Sequence, residues 1–194
     1  MKNNVTPENY QNISDQYGFI VKAIHSSKYN EMLLKCDEAL VVLSMKADLI
    51  DVINLSWGEK LITATRQSDG WEALINYEGA LSVVQIPSKK DDRIFFDIKD
   101  IDANTAIWSP CEKLIAVGDS SSAQLTVLDK EKGEIKWKEE LELMTESEII
   151  SRPSLSVVEW SSCGQKIITY AEYLSAKTII IWDADKGKID SIID

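Results

Sequence analysis

One stretch of this chain occurs twice, and it limits the fold more than any other feature. Trp108-Ser109-Pro110-Cys111-Glu112-Lys113-Leu114-Ile115 returns as Trp160-Ser161-Ser162-Cys163-Gly164-Gln165-Lys166-Ile167-Ile168, allowing one inserted glycine. The residues downstream of each copy repeat as well. After the first come Lys113 to Val117, then Gln124 to Asp129, a turn at Lys132-Gly133 and a run from Glu134 to Lys138. After the second come Lys166 to Tyr170, Thr178 to Asp183, a turn at Lys186-Gly187 and Lys188 to Ile193. A sustained internal period of this length is the signature of a repeat architecture. Short β-branched runs separated by Gly, Ser, Asp and Lys predict four antiparallel strands per unit, because tight turns need residues that tolerate unusual backbone angles.

A single small twisted sheet cannot bury either face alone, whereas sheets stacked radially bury both. The unit resembles a WD repeat, with an aromatic-Ser corner after its innermost strand and a third strand ending in Trp-Asp. The corners are Trp108-Ser109 and Trp160-Ser161, and the third strands end in Leu128-Asp129 and Trp182-Asp183. The resemblance is good from Thr105 to Asp194 and patchy upstream. It departs from the family in lacking the opening Gly-His pair, so the buried His-Asp-Ser-Trp network of many WD blades cannot form. The resemblance implies an all-β fold, a β-propeller of about four WD-like four-stranded antiparallel blades. Part of a larger propeller and a ring completed by another chain both remain open. Trp108 and Trp160 are expected to close the inner strand against the neighbouring blade. Trp182 is expected to pack within its own blade while Asp183 steers the next turn.

Two fainter copies extend the pattern upstream. Asn54-Leu55-Ser56-Trp57-Gly58-Glu59-Lys60-Leu61-Ile62 matches if Leu55 stands for Trp108, and Ala23 to Leu33 is the weakest. The expected organisation is an N-terminal extension over 1–18 and blades near 19–48, 49–98, 102–140 and 154–194, with an acidic insertion at 141–152. On this division the first blade is one strand short, and Leu49 to Leu55 is the inner strand of the second.

Charge narrows the partners. The formal net charge is -11, and Lys89-Lys90 and the lysines from Lys130 to Lys138 are interleaved with acids. An acidic chain without a basic stripe is a poor binder of phosphate backbones, so no direct nucleic-acid binding is expected. The apolar runs are far too short to span a bilayer, and the N-terminus lacks the pattern of a secretory signal. Three cysteines are too few for a disulfide framework, and with the missing signal they lead to an expected cytoplasmic location.

The residues do not assemble a recognisable catalytic set. His25 is the only histidine, and it is expected at the corner that Trp108 and Trp160 fill later, in a structural role. Cys111 and Cys163 share one repeat position, Cys36 lies in a strand, and no paired ligand motif is present, so no metal or cofactor is expected. Gly118-Asp119-Ser120-Ser121-Ser122 is read as a turn and not as a phosphate loop. The chain is accordingly expected not to be an enzyme. It is expected to serve as a protein-interaction scaffold or adaptor, with a protein or peptide partner and a preference for basic ones. The alternative is the propeller portion of a longer enzyme or translation-factor-like protein. Candidate contact loops carry Lys89, Asp91 and Asp92, then Asp100 and Asp102, then Glu142, Glu146 and Glu148. A homodimer or a partner chain completing the propeller is a further expectation.

Overall fold

The computed structural model describes residues 7–44, 48–86, 93–96, 101–119, 121–141, 154–173 and 176–193. Apart from one helix, these residues form four antiparallel sheets of four strands each. The first holds β1 (Ile20–Ser26), β2 (Glu31–Cys36), β3 (Ala39–Ser44) and β4 (Leu49–Asn54), in that order. The second runs β5 (Lys60–Arg66), β6 (Trp71–Tyr77), β7 (Ala80–Ile86) and β8 (Arg93–Phe95). The third holds β9 (Ala103–Trp108), β10 (Leu114–Asp119), β11 (Gln124–Asp129) and β12 (Glu134–Glu140). The fourth holds β13 (Ser154–Trp160), β14 (Lys166–Tyr173), β15 (Ala176–Asp183) and β16 (Lys188–Ile193).

The strand order corrects the upstream division. Leu49 to Asn54 pairs with β3, Leu40 facing Ile53 and Val41 facing Val52, so it is the fourth strand of the first sheet and not an inner strand of the second. The first sheet is therefore complete, and the second begins at Lys60. The sequence was misleading because the same turn chemistry does two jobs. Glu112 N–H donates to the Ser109 carbonyl between two strands of one sheet, and Glu59 N–H donates to the Ser56 carbonyl in the link between two sheets. The inserted glycine is also unnecessary. Trp108 pairs with Ile115 and Trp160 with Ile167, so the two corners have equal length. Glu112 takes the left-handed backbone position, at φ 63°, that Gly164 takes at 72°.

Two compact units divide the chain, Met1–Ile75 with Val83–Arg93, and Asn76–Ser82 with Ile94–Asp194. In the first unit, alternation along β2 and β3 sends side chains to both faces, and both are covered. Leu33, Leu40 and Val42 pack with Leu61, Trp71, Ile75 and Val84 of the second sheet. Leu34, Val41 and Leu43 face the other way, against Ile13 and Tyr17 of the helix α1 (Pro7–Tyr17). Proline opens this helix, and Gly18, at φ 83°, ends it with its N–H on the Ser14 carbonyl. The helix thus covers the second face of the first sheet.

A polar clamp reinforces this unit. The Glu31 carboxylate accepts Arg66 Nε at 2.6 Å and the Trp71 indole N–H at 3.0 Å, tying β2 to β5 and β6. Arg66 also donates to the carbonyls of Gln67 and Gly70 and lies 4.3 Å from the Tyr29 ring centroid.

In the second unit the third and fourth sheets share one core, in which Ala116, Leu125 and Val127 meet Leu155, Val157, Ile167, Ile180 and Trp182. Strand β10 comes close to the backbone of β13 at Gly118. A Cβ on Gly118 would lie 2.8 Å from the Leu155 carbonyl oxygen and from Thr105 Oγ1, and Val157 N–H donates to that same hydroxyl at 2.8 Å. At the outer edge, Trp137 lies over Gly187, where a Cβ would meet the indole at 2.8 Å. Its indole N–H donates to the Ala184 carbonyl at 2.9 Å, and Lys136 pairs with Asp185 at 2.7 Å.

Gly118→Ala is therefore expected to destabilise the protein by roughly 1–3 kcal/mol, read as a lower urea midpoint, because the methyl group would meet backbone. The Arg66 hydrogen bond holds the Glu31 carboxyl below the ordinary glutamate range against the opposing effect of burial. Its contribution to stability is whole above the unfolded-state value and is lost as pH falls through the folded value. Glu31→Gln should flatten that acid limb of the stability profile.

Candidate functional site

The repeated corners are built alike, which places their cysteines alike. Ser109 and Ser161 each close the turn with backbone and hydroxyl, Oγ accepting Leu114 N–H at 3.1 Å and Lys166 N–H at 2.9 Å. Each hydroxyl also lies against a cysteine, at 3.3 Å from Cys111 Sγ and 3.4 Å from Cys163 Sγ. The serine hydrogen bond is the main cause that lowers both thiols below the ordinary cysteine range. Both are exposed, whereas Cys36 is buried and burial raises its thiol.

The other repeat residues are structural. Trp160 donates its indole N–H to the Ile107 carbonyl of the adjacent inner strand at 3.1 Å, and Trp108 is buried at the end of β9. Trp182 is buried and donates to Thr169 Oγ1 at 2.8 Å. Asp129 Oδ1 accepts the Lys132 N–H, and Asp183 Oδ1 accepts those of Asp185 and Lys186, each fixing the turn into the fourth strand. His25 holds the hairpin position in the first sheet that Trp108 holds in the third, but not its packing. It stands one residue before the end of β1, opposite Met32, and is exposed where Trp108 is buried.

Of the acidic-loop candidates, Lys89, Asp91, Asp92, Asp100, Glu142, Glu146 and Glu148 lie outside the described residues. Asp102 is exposed, and its backbone N–H donates to Asp119 Oδ2 at 3.2 Å. Asp119 is buried. Burial works to raise its carboxyl, but hydrogen bonds from Ser121 and Ser122 prevail and hold it low. The segment after Gly118 is therefore a turn organised by one aspartate, Oδ1 accepting Ser121 N–H at 2.7 Å and Ser122 N–H at 3.1 Å. Among the described residues no group of three or more His, Cys, Asp or Glu could hold a metal ion, and no helix is long and apolar enough to cross a membrane.

The sequence reading missed the most conspicuous side chain, Trp57. It stands 93% exposed in the link between β4 and β5. Beside it opens a cleft of about 270 Å³ lined by Asp37, Glu38, Asn54, Leu55, Gly58 and Glu59. Its walls are held in place. Glu59 accepts Ser56 N–H at 2.7 Å, Asp37 accepts Phe19 N–H at 3.0 Å, and Leu55 N–H donates to the Glu38 carbonyl at 2.8 Å. Lys35 turns its ammonium onto the carbonyls of Cys36 and Asp37. An aromatic face beside three carboxylates suits a cationic group. Matching Leu55 to Trp108 hid this residue, because the match treats Trp57 as part of a corner.

No protein-family model and no curated protein matches the chain. Solved structures do. The Kuenenia stuttgartiensis hydrazine synthase matches 84% of this chain at 13% identity and a TM-score of 0.62. The dihydro-heme d1 dehydrogenase NirN matches 90% at 12% identity and 0.63, and AztD from Citrobacter koseri matches 85% at 19% identity and 0.58. The fold is that of β-propeller proteins. The chain spans 45%, 37% and 44% of the length of those three chains, so it corresponds to less than half of each.

These neighbours correct the expectation that the chain is not an enzyme. Two chains of the same fold are named as a synthase and a dehydrogenase. A lone histidine argues only against mechanisms that need an imidazole base, and propellers also accommodate other chemistry.

The corner geometry has a direct readout. Alkylation of Cys111 and Cys163 by iodoacetamide should have a pH midpoint below that of a free thiol, and Cys36 should react only on unfolding. Ser109→Ala should raise the Cys111 midpoint and leave that of Cys163 in place.

Proposed function

We infer that this chain is a propeller module that binds a protein or peptide, taking a basic side chain of its partner into the cleft beside Trp57. The single observation that carries the reading is Trp57 itself. A tryptophan 93% exposed on a tight link contributes nothing to the core, and on docking it removes a large apolar face from water. The carboxylates of Asp37, Glu38 and Glu59 give the cleft its sign, and the formal charge of -11 draws a basic partner during encounter. A guanidinium or ammonium stacked on the indole also finds acceptors at the cleft wall.

The four sheets are, on this reading, four WD-like blades. Support comes from the shared Trp-Ser corners at 108–109 and 160–161 and from the aspartates that end β11 and β15. A second reading, a propeller portion of a longer enzyme, is favoured by one observation: the chain spans less than half of a synthase chain and of a dehydrogenase chain with the same fold.

Calorimetric titration with a short arginine- and lysine-rich peptide tests the cleft. Trp57→Ala is expected to weaken binding by roughly tenfold or more, the scale of an interface tryptophan, while the melting temperature stays unchanged. Affinity should fall with added salt. An affinity indifferent to the Trp57 substitution would remove the basis of the assignment.

A further inference from the structure

The fourth sheet has one covered face and one bare face, and the bare one is built to match itself. Residues opposite one another across a sheet share a face, and successive residues alternate. The pairings Ile167 with Trp182 and Thr169 with Ile180 belong to the face packed on the third sheet. The intervening pairs, Ile168 with Ile181 and Tyr170 with Ile179, point the other way, joined by Ser191 and Ile193 from β16. Ile179 is 43% exposed and Ile193 is 52% exposed. In the third sheet the equivalent positions are Ala116, Val127, Gly118 and Leu125, three of them wholly buried in the core shared with the fourth sheet.

The bare face cannot receive a sheet in the way the third sheet receives the fourth. Tyr170 stands where Gly118 allows the close approach of β10 to β13, and Ser191 stands where Trp137 locks the outer edge. The first sheet carries Lys35 at the Gly118 position and still packs Leu33, Leu40 and Val42 on the second sheet, so a larger residue there widens the approach without closing the face.

Charge identifies the occupant. The apolar centre is bounded at one end by the cross-strand neighbours Lys166 and Asp183, and at the other by Glu172 and Lys177. Lys166 also meets Asp190 at 3.1 Å, and exposed Glu159 stands opposite Ile168. Each end thus carries one base and one acid, in a chain of net charge -11. A two-fold axis lying between two such faces sets each residue against the rotated face, either across strands or end to end. One choice brings Lys166 to Asp183 and Glu172 to Lys177 of the second copy. The other brings Lys166 to Glu172 and Lys177 to Asp183. Both set opposite charges together, which an acidic chain needs before two copies can approach.

We propose that a second copy of this chain packs on the Ile168, Tyr170, Ile179, Ile181 and Ile193 face, forming a two-fold dimer through the fourth sheet. Sedimentation and light scattering of the full chain should give twice the 21.8 kDa of one copy. Ile179→Lys should yield a monomer. Ile193→Lys, close to the end of the chain, should do the same with an unchanged far-UV spectrum, which separates loss of association from loss of folding. Lys177→Glu should weaken dimerisation by roughly three- to fivefold at low salt and much less at high salt. A wild-type monomer at high concentration, a dimer that survives both isoleucine substitutions, or open-ended growth beyond two copies would each overturn the proposal.

Discussion

Contact between backbones at Gly118 sets the geometry of the second unit. The carbonyl of Leu155 and the N–H of Val157 lie where any side chain on that residue would begin, and Thr105 completes the junction with a hydroxyl. Once β10 and β13 are this close, the apolar faces of the two sheets meet, and Ala116 and Val127 become core. The same closeness at Gly187 lets Trp137 reach across the outer edge. Two glycines, at opposite margins of the sheets, therefore fix how one sheet sits on the next. The first unit solves the equivalent problem with charge, through Glu31, Arg66 and Trp71.

The strands and turns of the last two sheets were legible because the sequence states them twice. Trp108 and Trp160, and Asp129 and Asp183, stand at fixed offsets from β-branched runs, and the serines that follow the tryptophans and the two aspartates accept matching backbone N–H groups in both copies. Upstream the text has one copy of each feature, and a turn read alone does not reveal whether it joins strands of one sheet or of two. Leu49 to Asn54 was misplaced for that reason. Pairing with β3 depends on which strand lies beside it in space, and periodicity carries no such information.

The candidate site was less legible. An exposed tryptophan looks like any other in a sequence, and Trp57 lies within a string that resembles a repeat corner. The cleft beside it is assembled from the turn at Asp37 and Glu38 and the link at Leu55 to Glu59, two segments brought together only because β3 and β4 return the chain to the same end of the sheet. Charge counting gave the sign of the chain but could not place a surface. Of the acidic-loop residues it singled out, only Asp102 is among those described, and it serves the turn around Asp119.

The helix at the start of the chain has a consequence for the order of events in folding. Ile13 and Tyr17 cover strands that lie within a short stretch of sequence after them, and those strands pair in chain order as successive hairpins. All of these contacts are local, so loop closure costs little and the first sheet can form before the rest of the chain has left the ribosome. A nascent sheet capped on one face offers less sticky surface to neighbouring chains during synthesis, and it gives the second sheet a finished template on which to collapse.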